Sequence, residues 1–408
     1  MKPSVSYEYI SLFSGGGIGD IGFRKAGLTP IIMCEKEKSR SDLLKLNFPK
    51  SKIINEDINN VIDEIEKETK DLLNNKELFL ISATPPCQGM SKNGIGTLLK
   101  SIKEGKRPEV DDRNLLFKPA LDLVYKLRPK YFFFENVDRM INQYYHDGEH
   151  KILMTDYITS KLNQMGYNGN FNLVNFADYG VPQNRLRLIG LFSRNDVASV
   201  TLPTTTHSKT GDFFHKKHIS LYEAIGNLPV LDSKTKELAQ SAFHPLHQTS
   251  VSRKDLYYWI ENTKEGDTAF NNNTCPVCHH ISEKNDVLCQ KCNHLLPKPV
   301  VFKNDKYRLI KGFTSAYKRM KSDSPAATIT TRSAYAGSDS NIHPTQNRVL
   351  SIYEVAILQG LNIEDYVWGP YNNKKIPPIT VLRDILGEPV SPKISYLLAK
   401  NFISTFNK

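Results

Sequence analysis

Long apolar runs are missing from this 408-residue chain, and no stretch supplies the roughly 20 residues a bilayer-spanning helix needs. Met1 to Tyr9 lacks the basic and apolar regions of a secretion signal, so the expected location is the cytoplasm. Cysteine is scarce, at six residues, and in a reducing compartment six cysteines are better sorted into metal ligands, a catalytic thiol and a bystander than into disulfides. Negative charge is in deficit: 43 Asp and Glu stand against 54 Lys and Arg, a net +11. That balance favours a polyanionic partner, because clustered cations neutralise phosphates and release their condensed counterions. Neither an internal repeat nor a low-complexity tract is found.

What is present has a clear rhythm. From Tyr7 to about Phe192 the apolar runs YEYISLF, TPIIMCE, ELFLISAT, KYFFFENV and RLRLIGLF alternate with helical patterns such as IGDIGFRKAG and FKPALDLVYKL. Runs unbroken by polar residues suit strands buried on both faces of a largely parallel sheet. The expected fold is α/β, a Rossmann-like doubly wound, mostly parallel sheet, over residues 1–193. Beyond Arg194 the composition shifts to Pro, Thr, His, Asn and Lys, and 194–345 is read as an inserted smaller domain. Helical periodicity returns in RVLSIYEVAILQGL, and ISYLLAKNF predicts a terminal helix, so 346–408 is read as a return to the first domain.

The first apolar run leads into SGGGIGD, placing Gly15, Gly16 and Gly17 where a backbone can approach a cofactor closely. Glu35, 20 positions after Gly15, ends the next run, where an acid would accept hydrogen bonds from ribose hydroxyls. Asp57 is either a second such acid or a helix N-cap. Cys87 follows two prolines at the end of a third run, which holds a thiol on a stiff turn; an isolated cysteine would otherwise be structural. Glu135 and Asn136 end a fourth run, and a protonated carboxyl there could polarise a base by donating to a ring nitrogen. Gln183, Arg185 and Arg187 alternate, so on a strand all three would share one face, suited either to an anionic or carbonyl-bearing ligand or to solvent.

The pattern TCPVCHHISEKNDVLCQKC sets Cys275, Cys278, Cys289 and Cys292 as two CxxC knuckles ten residues apart. Four thiolates at this spacing satisfy a closed tetrahedral zinc site, which with no open position would be structural. Cys34 is then a buried bystander.

The order FSGGG, CEKE, NEDI, PPCQ, DDRNLLF, ENV and QNRLR resembles the DNA cytosine-5 methyltransferases of bacterial restriction-modification systems. The resemblance implies the S-adenosylmethionine-dependent methyltransferase fold. It also implies that Phe13, Gly15, Gly17, Glu35, Asp57, Pro86 and Leu116 line the cofactor site. By the same resemblance Cys87 adds to carbon 6 of a cytosine, Glu135 engages N3 and the exocyclic amine, and Arg185 and Arg187 organise the site. The target base must be flipped from the duplex to meet a thiol. The segment Gln88 to Val110, with Gly89, Gly94, Gly96 and Gly105, resembles a catalytic loop closing over it. The region between QNRLR and RVLSIYE resembles a target-recognition domain reading the major groove, with HSKTGDFFHKKH and KDLYYWIENTK among its basic and aromatic segments.

Three departures from the family pattern stand out: Ile18 followed by Gly19 after the glycine turn, Tyr353 and Ile357 where arginines are expected, and LGEPVSP, with Glu388 and Pro389, in place of GNAVPP. The expected partner is double-stranded DNA, bound by a monomer, with a cognate restriction endonuclease acting on the same site. Two alternatives are an RNA (tRNA) cytosine-5 methyltransferase and a non-catalytic DNA-binding homologue. The presence of Cys87, Glu135 and Arg187 together argues against the second.

Overall fold

The computed structural model describes residues 7–86, 115–147, 150–312, 315–371 and 375–408. Up to Arg194 the described residues carry the strands β1 (Glu8–Leu12), β2 (Thr29–Cys34), β3 (Lys52–Ile54), β4 (Leu80–Ala83), β5 (Tyr131–Val137), β6 (Tyr144–Asp147), β7 (His150–Leu153), β8 (Tyr167–Asn175) and β9 (Leu186–Arg194). Seven of them form one sheet in the order β3-β2-β1-β4-β5-β9-β8. Strands β3, β2, β1, β4 and β5 are parallel; β9 runs antiparallel between β5 and β8. β6 and β7 make a separate hairpin after β5.

Period-two alternation sorts the strand side chains onto two buried faces. Ile10, Leu12, Ile32, Ile81, Phe132 and Phe134 face the helices Ile62–Leu73, Phe117–Leu127 and Met154–Gln164. Tyr9, Leu80, Tyr131, Phe133, Ile189 and Leu191 face the helices Ile18–Ala26 and Pro392–Phe406. Both faces are covered, which is why these strands read as continuous apolar runs. The strand order reverses beside β1, and ligands of open α/β sheets bind in the crevice at the carboxyl ends there.

The later chain is built differently. Its short elements include the helices Leu221–Ile225, Lys254–Glu261 and Ile352–Leu358, and its apolar interior also encloses several charged side chains. Arg319 is buried and donates to the carbonyls of Ile260, Thr263, His343 and Gln346 and to Asn347. Arg348 pairs through both terminal nitrogens with Glu354, at 2.7 and 2.6 Å, both side chains being buried. Tyr353 lies in an aromatic group with Phe243, His244 and His247. Among the described residues no helix is long and apolar enough to cross a membrane.

The helix Ile18–Ala26 meets the terminal helix Pro392–Phe406 at Gly22, where a Cβ would overlap the Pro392 carbonyl, Ser395 Oγ and the Tyr396 nitrogen. Ser395 Oγ donates to Gly19 O at 2.6 Å in the same contact. Gly22→Ala must therefore push two helix backbones apart, and it should destabilise the chain by about 3 kcal/mol. Urea unfolding measures this directly, and a loss below about 0.5 kcal/mol would contradict so close a contact.

Candidate active site

The edge formed by the carboxyl ends of β1, β2, β4 and β5 carries most of the expected residues. β1 turns out through Phe13, whose φ of 60° is an uncommon left-handed conformation for a non-glycine residue. Thr84 Oγ1, just past β4, donates to the Phe13 carbonyl at 3.1 Å and holds the turn against its neighbour. The Glu35 carboxylate accepts from Gly15 N and from Glu37 N, each at 2.8 Å. Gly15 has φ 55°, and no atom among the described residues lies within 4 Å of where its Cβ would stand. Gly17, by contrast, is packed against Leu44 and Phe48, and Tyr366 donates to Gly16 O at 2.6 Å. Among the described residues the turn is thus braced on one side and open on the other, an arrangement that a closely held small ligand requires.

Asp57 caps the short helix Ile58–Asn60 through Asn59 N and pairs with Lys36 at 3.0 Å. Burial opposes its ionisation, but Lys36 and the Asn59 N–H outweigh burial and hold the carboxyl below its ordinary value. The N-cap reading is therefore realised, and the side chain stands just beyond the carboxyl end of β3. Pro86 is half-buried just after β4, and Leu116, half-buried, leads into the helix Phe117–Leu127. Cys87 and the segment from Gln88 to Val110 lie outside the described residues. The turn that leads to Cys87 is anchored, since Asn136 Nδ2 donates to Pro85 O at 3.2 Å.

Glu135 is 6% exposed and its Oε1 lies 3.0 Å from Arg187 Nε. Register makes the meeting inevitable: Val137 pairs with Arg187 across β5 and β9, so the amino end of the reversed strand lies against the carboxyl end of β5. Burial pushes the Glu135 carboxyl above its ordinary value, and the charges of Arg187 and Arg185 offset this only in part.

Gln183 and Arg185 depart from the expectation of one shared face, because β9 begins only at Leu186. Gln183 donates to Leu358 O and Gln359 Oε1 and accepts from Ile329 N. Arg185, fully buried, donates to the carbonyls of Ile329, Gly387 and Glu388 at 2.9 to 3.1 Å. The member of this triplet that hydrogen-bonds the Glu135 carboxyl is Arg187. Through Arg185 the divergent LGEPVSP segment is drawn to the site. There Glu388 pairs with Arg40 at 2.8 Å, and burial pushes the Glu388 carboxyl up against the pull of Arg40. Nothing in the sequence pattern marked Arg40, since its partner lies almost 350 residues away.

Away from this edge, the sulfurs of Cys275, Cys278, Cys289 and Cys292 all lie within 4.8 Å of one another. The two knuckles repeat each other: His279 N donates to Cys275 O and Asn293 N to Cys289 O, and His279 and Asn293 both have positive φ. Burial opposes ionisation of Cys275 and Cys289, yet the N–H groups of Val277 and Cys278, and of Lys291 and Cys292, outweigh it and hold both thiols low. This is a donor set suited to a tetrahedral soft cation. Cys34 is buried in β2, and burial pushes its thiol up to about 12.

Glu135 makes a pH test possible. Its folded value lies above the ordinary 4.5, so just above that pH the folded chain keeps a proton that the unfolded chain has released. The stability this gives is lost as pH rises through the folded value. Glu135→Gln removes the titration, so variant stability relative to the parent should climb from about pH 4.5 toward neutrality. Chemical denaturation across that range is the measurement, and a flat difference would mean that Glu135 titrates normally.

The family model described as C-5 cytosine-specific DNA methylase matches residues 7–404. The type II methyltransferase M1.HgaI of Avibacterium volantium is 28% identical over 402 residues, covering 94% of each chain. M1.HphI of Haemophilus parahaemolyticus is 26% identical over 396 residues, covering 97% of this chain and 86% of that one. In fold, a putative prophage-encoded DNA modification methyltransferase of E. coli superposes with a TM-score of 0.58 at 17% identity, covering 99% of this chain and all of that one. A Spodoptera frugiperda DNMT2 superposes with a TM-score of 0.56 at 16% identity, covering 98% and 100%. With the glycine turn, Glu35, Glu135 and Arg187 gathered at one sheet edge and the family model spanning the chain, the protein belongs to the C-5 cytosine-specific DNA methylases.

Proposed function

We infer that this chain transfers the methyl group of S-adenosylmethionine to carbon 5 of a cytosine in double-stranded DNA. The observation that carries the reading is the Glu135–Arg187 pair: a buried carboxyl, pushed toward its neutral form, on the same sheet edge as the open turn at Gly15.

Each group has a chemical task. When bound, S-adenosylmethionine supplies an electrophilic methyl on a sulfonium. Phe13, Gly15, Gly17, Glu35, Asp57, Pro86 and Leu116 form its site, with Glu35 oriented by two backbone N–H groups so that its remaining lone pairs can accept from ribose hydroxyls. The cytosine is flipped from the duplex. The Cys87 thiolate forms a bond to carbon 6, which breaks the 5,6 double bond and makes carbon 5 nucleophilic. Glu135 in its acid form donates to N3, taking up the charge that develops on the ring, and Arg187 holds that carboxyl while facing the base oxygen. Carbon 5 would take the methyl group as its bond to the sulfonium sulfur breaks and leaves a neutral thioether; carbon 5 then loses its proton to a base, and the double bond re-forms as Cys87 departs as thiolate. Arg185 serves by position, joining the catalytic strand to the Gly387–Glu388 carbonyls.

Residues 1–193 act as the catalytic domain, 194–345 as the target-recognition domain, and 346–408 as the closing segment. The four cysteines fit a structural zinc ion, which would complete a module near 275–292 whose own apolar core is only Cys275, Cys289 and Leu296. The enzyme is read further as a monomeric, cytoplasmic modification enzyme with a restriction endonuclease acting on the same site; its relatives are named type II methyltransferases.

Labelled methyl transfer to duplex DNA and to tRNA tests the substrate. Activity on duplex DNA is expected, and activity on tRNA alone would overturn the reading. Cys87→Ala should abolish transfer while leaving cofactor binding by calorimetry within about twofold, and a variant that still methylates at the parent rate would remove Cys87 as nucleophile. Metal analysis of the purified chain should find about one zinc per molecule, and folded active enzyme without metal would exclude the ion.

A further inference from the structure

Directly after the cysteine module the chain forms an isolated two-stranded ribbon, Val300–Lys303 against Lys306–Leu309. It pairs with no other strand among the described residues. Its turn, Asn304–Asp305, has φ 53° and 56°, the double left-handed geometry of a tight hairpin. Opposite residues share a face, so the register divides the ribbon by chemistry. Val300, Phe302, Tyr307 and Leu309 make one face, where the Phe302 and Tyr307 rings meet across the strands with centroids 4.9 Å apart and planes tilted by 56°, stiffening a hairpin that pairs with no other sheet among the described residues. Val301, Lys303, Lys306 and Arg308 make the other face, exposed throughout and carrying three cations and no acid.

The ribbon has a firm root. Ile310 N donates to Pro299 O at 2.8 Å and closes its base. Just before it, the Lys298 ammonium is buried and donates to the carbonyls of Glu283, Lys284 and Asp286, inside the loop between the knuckles. Leu296 packs on Cys275 and Cys289. A stiff, rooted, cationic ribbon about 13 Å long matches the major groove, which admits a two-stranded ribbon. A second copy of this chain, with a net charge of +11, would oppose like charge to like on that face.

We propose that this ribbon enters the major groove beside the target cytosine, with Arg308 reading a guanine and Lys303 and Lys306 gripping phosphates. The proposal rests on the DNA-methylating function above and assigns part of its sequence specificity. Arg308 is the one guanidinium on the face, able to reach guanine O6 and N7 together, whereas a lysine ammonium is a point charge suited to phosphate.

The test uses the full chain and a site first located by bisulfite sequencing of DNA from cells expressing it. For Lys303→Ala/Lys306→Ala, binding to a 30-base-pair duplex should weaken at least tenfold, and the slope of log affinity against log salt should become shallower by about 2. For Arg308→Ala, methylation of a library randomised around the cytosine should lose at least tenfold of its preference at one guanine position. Arg308→Lys should lose the same preference while retaining most of the affinity. Unchanged cofactor affinity and melting temperature verify that the variants are folded. An unchanged salt slope overturns the lysine assignment, and an unchanged site preference overturns that of Arg308. A parental dimer that dissociates in the lysine variant, by sedimentation, would make the ribbon a self-association surface and overturn the proposal. Failure of the parent chain to methylate any duplex DNA would instead remove the function on which the ribbon's role depends.

Discussion

The buried guanidinium of Arg185 is the constraint that joins the two ends of this molecule. Its N–H groups end on the carbonyls of Ile329, Gly387 and Glu388, residues 144 to 203 positions further on. Hydrogen bonds from a charged donor are each worth about 1.5–3 kcal/mol, and a guanidinium out of water cannot leave them unmade. The later chain must therefore return to this point of the sheet. Gln183 adds a second tie to Leu358, Gln359 and Ile329. Once the return is fixed, Glu388 meets Arg40, Tyr366 meets the glycine turn, and the edge of the sheet becomes a closed-backed site.

Two buried glutamates show how the same side chain is set to opposite ends of its range. Glu354 sits with a bidentate Arg348 and accepts from Ser351 N; burial opposes its charge, yet these partners hold its carboxyl down to about 2. Glu135 pairs with Arg187 through Oε1, yet burial prevails, so its carboxyl stands above the ordinary value. The first arrangement keeps an ion pair permanently charged and builds a scaffold. The second leaves a carboxyl shifted by burial toward its neutral form, the kind of perturbation that the proton chemistry proposed at Glu135 would use.

The first half of the fold was legible because both sheet faces are buried, so β1, β2, β4, β5 and the core of β9 read as plain apolar runs. The candidate site was legible for a related reason: Glu35, Glu135 and Arg187 stand at the ends of those runs, where polarity breaks the pattern. β8 escaped because YNGNFNLVN is an edge strand with several exposed positions and no apolar signature. Gln183 and Arg185 mimicked a strand by alternation, but the ordered strand starts at Leu186, and long-range carbonyls then claimed both side chains. Arg40, Arg319 and Arg348 were silent for a deeper reason. The partners of Arg319 are mostly backbone carbonyls, that of Arg40 is the distant Glu388, and that of Arg348 is the near acid Glu354; a buried arginine looks like a surface arginine until the fold removes it from water.

The cysteine module and the ribbon rooted in it are held by a different balance of forces. Three residues, Cys275, Cys289 and Leu296, cannot bury enough apolar surface to fold a knuckle pair. Order there has to come from polar sources: the repeated N–H contacts of each knuckle, the ammonium of Lys298 among three carbonyls, and the zinc ion proposed for the four sulfurs. Such a module stands apart from the two covered faces of the main sheet. Its disruption should free the ribbon at 300–309 without opening the glycine turn at Gly15. The glycine turn and the ribbon are then separable because they draw on different physical sources of order, apolar burial for the sheet and polar bonds for the module.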